Sequence, residues 1–353
     1  MVKIAVYTIA KNEAKHVERW YNSSTEADYH FILDTGSTDR TVAIAKKLGI
    51  NVVKATVEPW RFDVARNTAL ALLPADIDYC VSMDMDEIIM PGWREELERA
   101  FLEGATMPKV TFTFSFNQDG SPAYQFGAAR IHARTGYTWK HPIHEGVVPY
   151  QIEEKQVWTN IEMQHHPDST KSRGQYLPML EWAVKEEPLN ARMAFYYGRE
   201  LMYYGKNAEA VEQLSSFLEM PTATWKGDRS DAMIYISKCT NDLLEAQQWA
   251  NLSISETPER REGYVRLATI LYHSRQYSMA LKYAEQALSI VERPLKYMCE
   301  DWAWNWEIYD IAAICAWELG NKTKAIEYGA RALQLGPHVQ RLADNMEHYA
   351  KNE

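Results

Sequence analysis

A chain of 353 residues exceeds what one hydrophobic core usually supports, so two domains are expected. Apolar residues make up 46% and charged residues 24%, which excludes a disordered chain, and no run nears the roughly 20 apolar residues of a bilayer span. The net charge of −10, with acid in excess in both halves, withholds the broad positive face that phosphate backbones require, although totals hide local patches.

The opening "MVKIAVYTIAKNEAKH" begins a strand, "KIAVYTI" (3–9), and lacks the longer apolar region and small-residue cleavage site of a secretory signal. A helix is predicted from Glu13 to Ser24, then the strand "YHFIL" (29–33). In "DTGSTDRTVAIAKKLG" Gly36 permits a turn, Ser37, Thr38 or Asp39 caps the next helix, and Gly49 ends it. "INVVKA", "VARNTALALL" and "DYCVSM" read as strand, helix and strand. This alternation predicts a mostly parallel sheet with helices on both faces, whose ligands lie beyond the carboxyl ends of the strands. Asp84, Asp86 and Glu87 of "SMDMDEIIMP" fall at such an end. Their mutual repulsion is tolerable in an exposed turn and is purposeful around a divalent cation.

After Pro91 another helix is expected in "GWREELERAFLEG", then sheet additions with more mixed pairing at 109–116 and 124–133. No Gly-rich dinucleotide fingerprint, Gly-Lys-Ser/Thr phosphate loop or nucleophile-elbow serine is found. Cys80, Cys239, Cys299 and Cys315 are scattered, without metal-ligand spacing or a disulfide framework, so a reducing compartment is expected. The combined expectation is a soluble cytoplasmic protein without integral membrane association.

From about Asn190 strand signals stop. Ala210, Ala246, Ala280 and Ala325 take comparable places in helix pairs, at intervals of 36, 34 and 45 residues. Ser253, Ala287 and Ala332 follow the last three by seven residues. This period matches tetratricopeptide repeats, whose helical hairpins bury a core by stacking. The long interval carries "RPLKYMCEDWAWNWE", an extra loop or helical turn whose Trp302, Trp304 and Trp306 face either a partner or the core. The division expected is an α/β domain at 1–170, a linker or helical connection at 171–189, all-α repeats at 190–340, and a tail or helix end at 341–353.

"TIAKNE" (8–13), "DTGSTDRT" (34–41), "FDVARNTAL" (62–70) and "DMDE" (84–87) occur in an order that resembles family 2 glycosyltransferases of the GT-A fold with its DxD motif. "WKHPIHEG" and "NIEMQHHPDS" narrow the resemblance to the bacterial and phage branch with C-terminal tetratricopeptide-like repeats. The resemblance implies an inverting enzyme using a nucleoside-diphosphate sugar, UDP favoured, with Mn²⁺ or Mg²⁺. It assigns Asp34 to the nucleobase, with helix capping as the alternative, and sets Thr8 and Asn12 over the nucleotide unless they satisfy local backbone. Arg66 bridges base or diphosphate, or else makes a surface salt bridge. Asp84 contacts ribose or orients the metal, Asp86 is the direct metal ligand, and Glu87 holds the loop. Asp63 lies near this region or caps a helix.

His165 is preferred over His166 as the imidazole that meets metal or diphosphate. His141 and His144 join them in a zinc reading that spacing does not establish. Glu145 is the candidate base for deprotonating the acceptor, His144 orients it or contacts phosphate, and Asp119 is the reserve base. A protein or peptide acceptor is preferred, with polysaccharide, lipid-linked sugar, small molecule and a flipped, modified DNA base as alternatives. The rival functions are a repeat-based binding protein with an inactive GT-A domain and a nucleotidyltransferase. A homodimer through the repeats is compatible with the pattern.

Overall fold

A computed structural model describes residues 2–117, 120–168 and 174–351. Two compact units divide the chain, Met1–Ala183 and Val184–Glu353. In the first, β1 (Ile4–Ala10), α1 (Val17–Ser23), β2 (Tyr29–Asp34), α2 (Thr41–Lys47), β3 (Asn51–Lys54), α3 (Phe62–Ala71) and β4 (Tyr79–Ser82) follow the predicted alternation. Then come β5 (Glu87–Ile89), α4 (Trp93–Leu102), β6 (Met107–Phe116), β7 (Pro122–Ala128) and β8 (Ile131–Ala133). The hairpin of β9 (Tyr137–Lys140) and β10 (Gly146–Pro149) precedes the last strand, β11 (Gln156–His165).

Five strands form one sheet in the order β3-β2-β1-β4-β8, in which β8 alone runs antiparallel to its neighbour. Strand β1 is buried on both faces, which is why "IAVYTIA" reads as a continuous run rather than an alternation. Trp20, Met83, Trp93 and Met163 pack within the apolar core on one side, and Tyr7, Phe31, Leu33, Ala65 and Trp139 within that on the other. The pairings Ala10 with Asp34 and Tyr7 with Ser82 bring those carboxyl ends to one edge.

A second sheet, β5-β11-β6-β7, has the mixed pairing expected of the later segments, with β11 parallel to β6 and antiparallel to β5. Strand β5 is not foreseen in the sequence. Its three residues are too few to show a period, and pairing of His165 with Glu87 is what makes them a strand. His165 is thus the last residue of β11.

Helix α5 (Tyr176–Glu186) spans the division between the units. The second unit continues with α6 (Ala191–Tyr203), α7 (Asn207–Glu219), α8 (Lys226–Cys239), α9 (Leu243–Glu256), α10 (Arg261–His273), α11 (Tyr277–Ser289), a 3₁₀ turn (Asp301–Ala303), α12 (Trp306–Glu318), α13 (Lys322–Leu335) and α14 (Gln340–Lys351). Four successive helical hairpins, α6 to α13, form the tetratricopeptide-like series. Ala210, Ala246, Ala280 and Ala325 are all buried, and Gly198 has the same purpose, because a Cβ there would stand 2.6 Å from the Leu214 side chain. Asn190, Asp242, Asn305 and Asn321 cap their helices through side-chain oxygens.

The long third interval folds back as a segment, 291–305, over α8 and α10. Glu300 N–H donates to Glu262 at 2.9 Å, Arg260 donates to the Met298 carbonyl at 3.2 Å, and Tyr235 donates to Glu300 at 2.6 Å. Trp304 lies 4.2 Å under the Arg261 guanidinium and Trp302 4.3 Å under the Lys238 ammonium. Trp306 stands where a Cβ on Gly336 would be 2.8 Å from its ring. All three tryptophans are half-buried packing groups. The four cysteines are free and buried. Among the described residues no helix is long and apolar enough to cross a membrane.

Candidate active site

Beyond the end of β4 the chain turns through Met83, Asp84, Met85 and Asp86 before β5 begins at Glu87. Glu87 is buried and its carboxylate accepts from the Asp84 N–H at 2.8 Å, while Asp84's carbonyl accepts from the Glu87 N–H at 2.9 Å. This reciprocal closure turns the acidic side chains of Asp84 and Asp86 outward, the loop-holding part expected of Glu87. Arg130, after β7, donates to the other Glu87 oxygen at 2.5 Å. Burial pushes the Glu87 carboxyl up to about 7, against the pull of Arg130.

Arg66, buried on α3, spreads its guanidinium over three partners. It donates to Glu145 at 2.5 Å, to Asp84 at 2.8 Å and to Ser82 Oγ at 3.2 Å, with the Trp139 ring 4.8 Å away. Burial opposes the Asp84 charge, but Arg66 and then Arg130, 3.7 Å away, outweigh it and hold the carboxyl at about 2. Burial likewise opposes the Arg66 charge, and Asp84 and Glu145 reverse that effect, so its pKa is raised.

Glu145 is brought to Arg66 by a tightly constrained turn. His141 and His144 both adopt left-handed backbone, at φ 83° and 50°, conformations that non-glycine residues enter at a cost. Phe62 N–H donates to the Pro142 carbonyl at 3.0 Å, and Asn67 exchanges hydrogen bonds with the Trp139 backbone at 2.8 Å each. The His144 ring meets Tyr176 edge-on, with centroids 5.8 Å apart.

On the other side of the turn, Asp86 faces His165, with Oδ2 and Nε2 3.5 Å apart. Burial opposes protonation of His165, yet Asp86 raises its pKa overall. Its ring stacks on Phe114 at 4.9 Å and that of His166 on Phe116 at 5.3 Å. His166 turns its ring toward Gln164, 3.3 Å away, and gives only its backbone N–H to the Asp86 carbonyl, at 2.8 Å. A cavity of about 760 Å³ opens here, lined by Lys15, His16, Arg19, Phe114, Phe116, His165 and His166 among others.

The remaining sequence-predicted residues divide. Asp34 is buried at the end of β2 and accepts from the Ser37 N–H at 3.2 Å, which stabilises the turn ahead of α2. Asp39 accepts from the first N–H of that helix, Thr41, at 2.9 Å. Asn12, at φ 60°, accepts from Thr38 N–H at 2.8 Å and so ties the loop after β1 to the loop after β2. Thr8 is buried, its hydroxyl on the Ile9 carbonyl. Asp63 holds Arg61 through two bonds of 3.0 and 2.9 Å and accepts from the Val64 N–H. Asp119 lies outside the described residues. Ser82, Arg130 and Trp139 were missed, and Arg130 had a signal, as the one formal cation in the strand-like "QFGAARIHA".

Among the described residues, no three His, Cys, Asp or Glu side chains already stand together as a metal cage. Asp84 is committed to two guanidinium groups, whereas Asp86 and His165 form a carboxylate and imidazole pair. That donor set fits a divalent ion such as Mn²⁺ whose other positions go to phosphate oxygens and water.

The family described as Glycosyl transferase family 2 matches residues 5–160. A glycosyltransferase of Rickettsia bellii, itself uncharacterised, is 34% identical over 131 residues, 37% of this chain and 39% of its own. One from Rickettsia felis is 33% identical over 133 residues, 37% and 41% of the two chains. The match thus spans about two fifths of those relatives. A TPR repeat-containing protein of Synechococcus elongatus is 26% identical over 283 residues, 77% of this chain and 61% of its own. Among solved structures, PilW, a type IV pilus biogenesis factor, is similar at 20% identity and a TM-score of 0.40, covering 48% of this chain and 76% of PilW. Residues 5–160 therefore match the family 2 glycosyltransferases, and in this chain they precede a series of tetratricopeptide-like helical repeats.

Proposed function

We propose that the first unit transfers a sugar, with inversion, from a nucleoside-diphosphate donor, UDP favoured, to a nucleophile on a protein or peptide. The observation that carries this reading is the convergence of Asp84 and Glu145 on Arg66, one turn of chain away from the Asp86–His165 pair. Asp34, Asn12 and Thr8, on the loops and strand ends along the same sheet edge, are assigned to the base and ribose side. Arg66 is assigned to the diphosphate, where its planar donors suit two oxygens at once. A divalent cation held by Asp86 and His165, with Asp84 beside it, would neutralise the charge that grows on the departing diphosphate.

Glu145 is assigned as the base. One of its oxygens is occupied by Arg66 and the other takes the acceptor proton as the new glycosidic bond forms opposite the leaving group. His144 orients this turn. The two strained backbone positions support the assignment, because the fold tolerates their cost to set the Glu145 carboxylate against Arg66.

The test is a panel of UDP-, GDP- and dTDP-sugars in Mn²⁺ and Mg²⁺, read by binding and by hydrolysis or transfer. Release of a nucleoside diphosphate is expected, whereas pyrophosphate would identify a nucleotidyltransferase. Asp86→Ala should fold normally and lose at least about 10²-fold of metal-supported turnover. Unchanged turnover in that variant would remove Asp86 from the site, and no donor binding at all would favour an inactive domain.

A further inference from the structure

The Arg66 guanidinium has five N–H groups, and three of them are committed, to Glu145, Asp84 and Ser82. The remaining two can meet a diphosphate reproducibly only if the plane of the group is fixed. One support is the Trp139 ring, 4.8 Å from the guanidinium, and another is the buried Ser82 hydroxyl. Both supports are met by a single buried hydroxyl, that of Tyr7 on β1.

Hydrogen-bond chemistry dictates the direction of the bonds around that hydroxyl. Trp139 Nε1–H can only donate, and the Tyr7 oxygen accepts it at 2.7 Å. The Ala133 carbonyl can only accept, so the His132 proton sits on Nδ1, 2.8 Å away. Nε2 of His132 is then the acceptor for the Tyr7 O–H, at 3.1 Å. Ser82, the register partner of Tyr7 on β4, approaches the same oxygen and accepts from Arg66 at 3.2 Å. Strands β1, β4, β8 and β9 thus meet at one atom. Burial raises the Tyr7 pKa well above its ordinary value and lowers that of His132 to about 4, so both stay neutral near pH 7. Asn67, the neighbour of Arg66 on α3, holds the Trp139 main chain as well. Packing alone does not call for this hydroxyl, since Phe31 and Leu33 fill the same core without a polar side-chain atom.

We infer that Tyr7 is a positioning residue for the diphosphate-binding guanidinium: by pinning the Trp139 indole and backing Ser82, its hydroxyl sets the plane in which Arg66 offers its two remaining N–H groups. The inference rests on the assignment of Arg66 to the diphosphate. Without the hydroxyl, the indole N–H and His132 Nε2 both lose their partner inside the core, and the ring under Arg66 is free to turn. The effect falls on recognition of phosphate oxygens, where planar donors must be aligned, and not on recognition of the base.

The test is calorimetry on the full chain with UDP and with uridine, both in Mn²⁺. Tyr7→Phe should bind UDP at least about fivefold more weakly and uridine within about twofold of the native chain. Tyr79→Phe is the matched control, because it removes another buried hydroxyl of the same sheet, 2.5 Å from the Ala105 carbonyl. It should lower the melting temperature and leave both affinities unchanged. In Arg66→Lys, which keeps the charge and loses the planar group, adding Tyr7→Phe should weaken UDP by less than about twofold more. If Tyr7→Phe does not fold by circular dichroism, Trp139→Phe carries the comparison, since it keeps a ring under Arg66 and lacks the indole N–H. Native affinity for UDP in the folded variant, an equal loss for uridine, or the same selective loss in Tyr79→Phe would overturn the inference and leave the sugar-transfer reading standing. A native chain that binds none of UDP, GDP and dTDP would overturn both.

Discussion

The two units each bury an arginine between two carboxylates, with opposite consequences. In the first, Arg66 joins Asp84 and Glu145. In the second, Arg260 meets Asp231 at 2.8 Å and Glu262 at 3.3 Å, and also donates to the Gly227 and Met298 carbonyls. The Asp84 side chain is 32% exposed, and Arg66 with a second guanidinium, Arg130, outweighs its burial, so its carboxyl is held at about 2. The Asp231 side chain is 12% exposed, and burial pushes its carboxyl up to about 7 despite Arg260. The same triad of groups is thus a charged surface where water reaches it and an internal tie where water does not.

Removing the arginine tests that contrast most severely. Arg260→Ala strands two buried acids and should cost about 3–5 kcal/mol, seen as a fall in the urea midpoint. Replacing Arg260, Asp231 and Glu262 together with Met and Leu should recover most of it. Arg66→Met should cost clearly less stability and yet abolish donor binding, measured by calorimetry. If Arg66→Met destabilised as much as Arg260→Ala, the distinction between open and closed triads would fail.

A smaller effect comes from His132, buried on β8, which separates polar burial from ion pairing. Its Nδ1–H donates to the Ala133 carbonyl and its Nε2 accepts from Tyr7, whose hydroxyl accepts in turn from Trp139. Burial lowers the folded pKa to about 4, below the ordinary 6.5. The unfolded chain therefore binds the proton more readily. Stability is full above about 6.5, falls as pH drops from there to about 4, and loses on the order of 3 kcal/mol in all. Urea midpoints at pH 7 and 5 should differ in the native chain, and the difference should shrink in His132→Gln.

The smallest expected change is a gain. His144→Gly relieves a left-handed backbone and should raise stability by about 1 kcal/mol while lowering turnover, because the turn that presents Glu145 loosens. Equal turnover would show that the strain does not position the carboxylate.

Local signals made much of the architecture legible. Strand and helix periods, Gly36 and Gly49, and the small residues of the helical hairpins all act over a few residues. Asp84, Asp86, Arg66 and Glu145 were legible through motifs. Their pairing was not, because Arg66 and Glu145 are 79 positions apart and meet only through the β9–β10 hairpin. Strand β5 and the packing of Trp302 and Trp304 were hidden for the same reason, each existing only by long-range contact. The commitment of Asp84 to Arg66 and Arg130 also separates it from Asp86, which a two-residue spacing cannot convey.

The reciprocal bonds between Asp84 and Glu87, locked by Arg130, mean that the acidic turn owes its shape to the protein and not to a guest. An incoming diphosphate would find the cost of ordering that loop already met during folding. Encounter, rather than loop closure, would then set how quickly the first complex forms.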